Sequence, residues 1–231
     1  MYLSELTFDP WRRDTGRLLA DSYALHQRLL LAFPEAADGG SGRMLFRTEL
    51  EKGELRLLIQ SEREPQWNKL GDLARAHRGP KAWQPVFAAG QVLRFRLRAN
   101  MTVKQDGKRR VLHGASADET RQKQLAWLSR KGEQHGFALA LVPSGADWFN
   151  PFAEGEPAAP SSNVRLVPLP ARVGHRPARD GKPNMEVAHT GVDCDGVLRV
   201  TDAALFASAV AGGIGPAKAF GFGLLSVAIV R

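Results

Sequence analysis

Apolar and polar residues alternate over residues 2–8, the period-two signature of a half-buried strand. The spacing of Leu18, Leu25, Leu29 and Ala32 then predicts one helix over residues 15–33, followed by a polar, glycine-rich loop over 34–42. Residues 44–50 and 55–61 alternate again and predict a hairpin across Glu51-Lys52-Gly53-Glu54. Residues 64–90 carry little periodicity beyond a short helix near 70–76, and 91–104 predict a long strand. The order then recurs. A short strand is expected at 109–113, a helix at 118–134 carrying Leu125, Trp127 and Leu128, and a strand at 137–142. Residues 143–162, rich in Pro, Gly and Ala, predict a long surface loop. Strands are expected at 164–169, 185–188 and 197–200, a helix at 202–211 and a last strand at 224–230.

This order predicts an α+β fold of two tandem ferredoxin-like (RRM-type) βαββαβ domains: residues 1–104, a junction at 105–116, and 117–231. Only the order of elements repeats; no residue-by-residue repeat is visible.

Between the last helix and the last strand lies Gly212-Gly213-Ile214-Gly215-Pro216-Ala217-Lys218-Ala219-Phe220-Gly221-Phe222-Gly223. Glycine costs conformational entropy and packs nothing, so such density implies unusual backbone geometry or close approach. It reads either as a tight helix-to-strand connection or as an anion cradle of backbone N–H groups, with Lys218 in their midst. Three named motifs fail here. A P-loop needs Gly-Lys-Ser/Thr where Ala217-Lys218-Ala219 stands, a dinucleotide fingerprint needs glycine at Lys218, and the RRM aromatic signature belongs on an inner strand.

Composition narrows the classes. In 231 residues, 32 Lys and Arg against 24 Asp and Glu give a net charge of +8, which favours a polyanionic partner. No stretch is long and apolar enough to span a bilayer. Residues 1–6 alternate as a strand and lack the charged and apolar regions of a secretory signal. Cys194 is the only cysteine, so no internal disulfide forms, and a reducing cytoplasmic location is expected. The six histidines show no helical i,i+4 pair and no cysteine partner at ligand spacing, so no metal site and no cofactor are expected. Asp193-Cys194-Asp195-Gly196 reads as a hairpin turn between Val192 and Val197.

Three constellations remain. Tyr23 and His26 lie three residues apart, so they share one helix face at the margin of the leucine stripe. An imidazole there can take or give a proton near neutral pH, unless it is merely solvated. Arg94, Arg96 and Arg98 alternate with Phe95, Leu97 and Ala99, which puts three cations on one face of a strand. Either a polyanion crosses that face or acidic partners come from elsewhere in the fold. Arg172, His175, Arg176, Arg179 and Lys182 surround Asp180-Gly181, with Pro177 and Pro183 excluding a central strand. They form a basic loop or hairpin suited to structured RNA. A weaker basic group, Lys104, Lys108, Arg109 and Arg110, lies at the junction.

Several segments together resemble the CRISPR RNA-processing endoribonucleases of type I-E systems, the CasE subunit of the Cascade complex. They are Met1-Tyr2-Leu3-Ser4, Tyr23-x-x-His26, Phe95-Arg96-Leu97-Arg98-Ala99-Asn100, Leu125-Ala126-Trp127-Leu128, Gly213-Ile214-Gly215-Pro216-Ala217-Lys218 and Gly221-x-Gly223-Leu224-Leu225-Ser226. They occur in family order along nearly the whole chain, and the glycine run is the most specific. Met101 stands where the family commonly has proline, and the loop at 143–162 is long.

The resemblance implies a metal-independent ribonuclease that cuts once at the base of a CRISPR repeat stem-loop, leaving 5′-hydroxyl and 2′,3′-cyclic phosphate ends. It further implies an enzyme that stays on the mature guide RNA among other Cascade subunits, away from membranes. On this reading His26 is the general acid or base, Tyr23 positions the ribose or phosphate, and Lys218 neutralises charge or holds RNA. Arg94, Arg96, Arg98, Arg172, Arg176, Arg179, Lys182, Gly213, Gly215, Gly221 and Gly223 are the expected RNA contacts. Two competing readings are a non-catalytic RNA-binding subunit of the same fold and a small-molecule phosphate enzyme using the glycine loop.

Overall fold

The computed structural model describes residues 1–9, 11–33, 42–51, 53–144, 158–162, 164–176 and 185–230. Strand β1 (Tyr2–Phe8) turns Leu6 and Phe8 into a first core. Helix α1 (Arg13–Ala20) and helix α2 (Ser22–Leu30) follow. The single helix expected over 15–33 is therefore two, because Asp21 is extended (φ −119°, ψ 97°) and its carboxylate caps α2. Leu25 and Leu29 carry α2 onto the sheet, as the stripe predicted. Strands β2 (Met44–Glu51) and β3 (Glu54–Ser61) form the expected hairpin, closing at Glu51↔Glu54. A 3₁₀ segment, Trp67–Leu73, buries Trp67, Leu70 and Leu73 in place of the short helix expected there.

Strand β4 (Ala76–Ala82) completes a sheet of order β2–β3–β1–β4. The next strand, β5 (Val92–Ala99), was expected to close this first unit. It is instead a central strand of the second sheet, paired on one side with residues 192–199 and on the other with residues 225–229. The physical reason is that β4 reads Ala-His-Arg-Gly-Pro-Lys-Ala, an exposed edge strand with no apolar face for periodicity to detect. Missing it shifts the count by one strand. The division between the two hydrophobic clusters falls between Ala74 and Trp83, which corrects the boundary placed at 105–116.

After β5, β6 (Thr102–Gln105) and β7 (Lys108–Val111) form a separate small hairpin turned by Asp106 and Gly107, both at positive φ. Helix α3 (Ala117–Gln134), capped by Ser116, buries Trp127 and Leu128. It leads to β8 (Phe137–Leu139), which pairs with residues 198–200. The ends of the expected long loop pair as β9 (Leu141–Ser144) and β10 (Ala158–Ser162).

Strands β11 (Val164–Arg176) and β12 (Met185–Val200) are longer than the sequence pattern indicated and pair out to Arg176↔Met185. Asp193 to Gly196 is therefore mid-strand rather than a turn. There Cys194 packs into the second core, while Asp193 and Asp195 sit directly opposite Arg98 and Arg96. Helix α4 (Ala203–Gly212), a 3₁₀ turn (Lys218–Phe220) and β13 (Leu225–Ile229) complete the second unit. The second sheet has the order β11–β12–β5–β13, with β8 beside β12; counting in chain order only the four strands of each main path, both sheets read fourth–first–third–second, with helices against one face. This is the expected tandem ferredoxin-like fold. Among the described residues no helix is long and apolar enough to cross a membrane.

Candidate active site

The Asp21 carboxylate accepts the N–H groups of Tyr23 (2.9 Å) and Ala24 (3.0 Å), which fixes the first turn of α2. With Leu25 and Leu29 buried, Tyr23 and His26 emerge half-buried at the helix margin. The His26 ring stacks on Phe46 from β2, centroids 6.2 Å apart and planes 16° apart. Its Nδ1 is buried and has no hydrogen-bond partner among the described residues. Burial lowers the imidazole pKa, because the charged form loses solvation that nothing replaces. His26 is thus held by packing, and its burial favours the neutral imidazole.

The glycine run comes to the same place. Tyr23 lies 6.4 Å from Phe220, ring to ring, and α2 packs against the Lys218–Phe220 turn. A Cβ on Gly221 would stand 3.1 Å from the Phe46 ring and 3.2 Å from Arg172 Nη1. His26, Phe46, Gly221 and Arg172 therefore form one contiguous patch built from both units. In the sequence, only the family resemblance links His26 to the bend.

Gly213, Gly215, Gly221 and Gly223 all have φ between 72° and 89°, the left-handed region that L side chains avoid. The N–H groups of Gly213, Ile214, Phe220, Gly221 and Gly223 donate to the carbonyls of Ala209, Gly223, Ala217, Lys218 and Arg98. Those of Gly213, Gly221 and Gly223 are therefore spent inside the protein, which favours the tight helix-to-strand connection of the two readings. The glycines allow a tight double-legged bend whose legs are pinned by the fully buried Ile214 and Phe222. Lys218 is half-buried at the tip of this bend, and desolvation together with the nearby Arg43 lowers its ammonium pKa.

Acidic partners from elsewhere in the fold engage Arg96 and Arg98. Arg98, 7% exposed, makes a bidentate pair with Asp193 (2.7 and 2.8 Å) and donates to the Thr48 carbonyl (2.7 Å). Arg96 pairs with Asp195 (2.5 Å) and Glu49 (3.5 Å). These side chains join the second sheet to β2 through Thr48 and Glu49. The missing acids were in the sequence, but the turn assigned to 193–196 hid them. Arg94 lines a cleft of about 480 Å³ with Arg96, Glu49, Arg165 and Asp195. Alternation along β2 turns Arg47 and Glu49 to the face opposite Phe46, so this cleft lies away from His26.

Among the expected hairpin contacts, Arg172 is not at an outer tip. It is half-buried beside Gly221 and donates to Thr48 Oγ1. Burial, and then the neighbouring Arg98, push its pKa down to about 10, so it remains a cation at neutral pH. Arg176 ends β11 and pairs with Met185, while Arg179 and Lys182 lie outside the described residues. Sequence reasoning missed Phe46, Phe220 and Asp21. Of these, only Asp21 carried a signal, as an N-cap residue preceding an apolar helix. Among the described residues no group of three or more His, Cys, Asp or Glu side chains is placed to hold a metal ion.

Comparison with known proteins bears on this geometry. A family model described as "CRISPR associated protein" matches residues 1–228. A relative from Thermus thermophilus, named CRISPR-associated endoribonuclease Cse3, is 32% identical, covering 99% of this chain and 100% of the relative. A structure of CRISPR endoribonuclease Cse3 bound to a 19-nucleotide RNA is 33% identical, with a TM-score of 0.75, and covers 99% of this chain and 100% of that one. A Thermus thermophilus Cse3 structure bound to an RNA representing a pre-cleavage complex is 31% identical over 98% of each chain, with a TM-score of 0.72. Similarity of this extent in both sequence and fold places the chain in the CRISPR-associated protein family whose members include the endoribonuclease Cse3.

Proposed function

We propose that this chain is a metal-independent endoribonuclease that binds the stem-loop of a CRISPR repeat transcript and cuts it once at the base of the stem. It then stays on the guide RNA as a subunit of Cascade, in the cytoplasm. The observation that carries this reading is the packing of the His26 helix onto the glycine bend through Phe46 and Phe220, in a chain whose relative is a named CRISPR endoribonuclease.

The chemistry is transesterification. The 2′-oxygen next to the scissile phosphate attacks phosphorus, the bond from phosphorus to the 5′-oxygen breaks, and the 2′-hydroxyl proton passes to His26. The departing 5′-oxygen takes up a proton from solvent or an acidic side chain, leaving a 5′-hydroxyl and a 2′,3′-cyclic phosphate. A neutral, desolvated imidazole is suited to the base role. Tyr23, anchored against Phe220, positions the ribose. Arg172 and Lys218 supply positive charge where the phosphorane accumulates negative charge.

Purified protein mixed with its repeat hairpin in excess EDTA should release these two ends. Intact hairpin under conditions where the protein binds it would overturn the reading in favour of a non-catalytic RNA-binding subunit. The pH profile tests the role of His26. Because burial lowers its pKa, the single-turnover rate should rise with pH and level off with an apparent pKa below the ordinary value of about 6.5. A rate that falls as pH rises through that range would make His26 the acid instead.

A further inference from the structure

Strand β11 approaches the start of α2 unusually closely. A Cβ on Gly174 would lie 2.4 Å from the Phe220 ring and 3.1 Å from both the backbone nitrogen and Cβ of Tyr23. Any side chain there would displace the Phe220 ring and crowd the first turn of α2. At the next residue the strand is tied to the helix. The His175 N–H donates to the Asp21 carboxylate (3.2 and 3.3 Å), and His175 Nδ1 lies 3.1 Å from Asp21 Oδ2. On its other side, His175 Nε2 lies 3.4 Å from Glu186 of β12. One carboxylate, 22% exposed, therefore has two tasks: it caps α2 and grips the hairpin strand. Burial opposes ionisation of Asp21, yet the hydrogen bonds from Ala24, His175 and Tyr23 outweigh it and hold its pKa below the usual carboxylate value.

Tyr23 and His26 lie two and five residues beyond Asp21 on a nine-residue helix. A short helix held at its first turn transmits any displacement there directly to both side chains. We propose that Asp21 and His175 are positioning residues, a clamp that sets the catalytic face of α2 against β11 and the glycine bend. The inference rests on the nuclease reading for its kinetic consequences, but not for the existence of the clamp.

The test separates capping from clamping. Asp21→Ser keeps an N-cap oxygen of equal quality but removes Oδ2, the atom that meets the His175 ring and one of the two acceptors of its N–H. It should leave the melting temperature nearly unchanged and slow single-turnover cleavage by about 10-fold or more, with hairpin Kd changed by less than about 3-fold. His175→Ala should show a comparable loss, and His175→Asn, whose amide N–H can stand in for Nδ1–H, should recover most of it. The double variant Asp21→Ser/His175→Ala should be no slower than the slower single variant. Full additivity, unchanged cleavage in His175→Ala, or a loss confined to Kd would each overturn the clamp.

Amide exchange supplies an arm independent of activity. Protection of the His175 N–H should drop in Asp21→Ser, and unchanged protection would contradict the proposal. Wild-type protein that cuts no hairpin would overturn the nuclease reading alone, leaving the clamp to be decided by that exchange measurement.

Discussion

Replacing His26 by alanine should lower the single-turnover rate of hairpin cleavage by about 10²–10⁴-fold while leaving hairpin Kd within about 3-fold. The asymmetry follows from where the side chain sits. His26, its neutral form favoured by burial, is held by stacking on Phe46, with a buried Nδ1 that has no hydrogen-bond partner among the described residues, so it offers little charge to the RNA backbone in the ground state. Its worth appears when the 2′-hydroxyl loses its proton. Because Phe46 belongs to the first core, truncating the ring opens a small gap at the helix margin, and folding should survive. A variant that binds the hairpin and cuts at the wild-type rate would remove His26 from the chemistry and leave the bend as a binding element only.

The second large effect is on stability. Arg98→Ala should destabilise the fold by about 3 kcal/mol, read as a lower urea midpoint with little change in m-value. Arg98 is nearly buried, and removing it strands Asp193 beside a low-dielectric seam and leaves the Thr48 carbonyl without that donor. Arg96→Ala, two residues away in the same row, should cost no more than about 1 kcal/mol, because its side chain is half exposed and solvent screens the pair. The contrast is the test. Equal losses would mean that the two arginines do the same work, contrary to their difference in burial. A large loss of RNA affinity in Arg98→Ala without loss of stability would support the polyanion face instead.

The fold was legible wherever one face of an element is apolar. The Leu25 and Leu29 stripe, the hairpin at 44–61, the helix carrying Trp127 and Leu128 and the last strand all appear as read. It was illegible where exposure removes the pattern. Strand β4 has no buried apolar residue, so its absence from the reading moved β5 into the wrong sheet. Asp-Gly, a strong turn signal in isolation, lost to long-range pairing at Asp195-Gly196, where β5 supplies arginines for both neighbouring acids.

The candidate site was half visible. Tyr23, His26 and the glycine bend were singled out by spacing and resemblance, and they meet in space. Phe46 and Phe220, which join them, look like any other apolar residues in a sequence. The choice between the two readings of the glycine run was hidden for a related reason: only the pairing of Ile214 with Gly223, and of Gly223 with Arg98, shows that the loop hydrogen-bonds to itself and to β5. Asp21 was readable as a cap, but its second partner, 154 positions along the chain, was not.

The central claim is that the RNA supplies its own nucleophile beside His26. The direct measurement is cleavage, in excess EDTA, of a repeat hairpin with a single 2′-deoxyribose immediately before the scissile phosphate. Binding should match that of the all-ribose hairpin and cutting at that bond should vanish, whereas continued cutting there would contradict the mechanism outright.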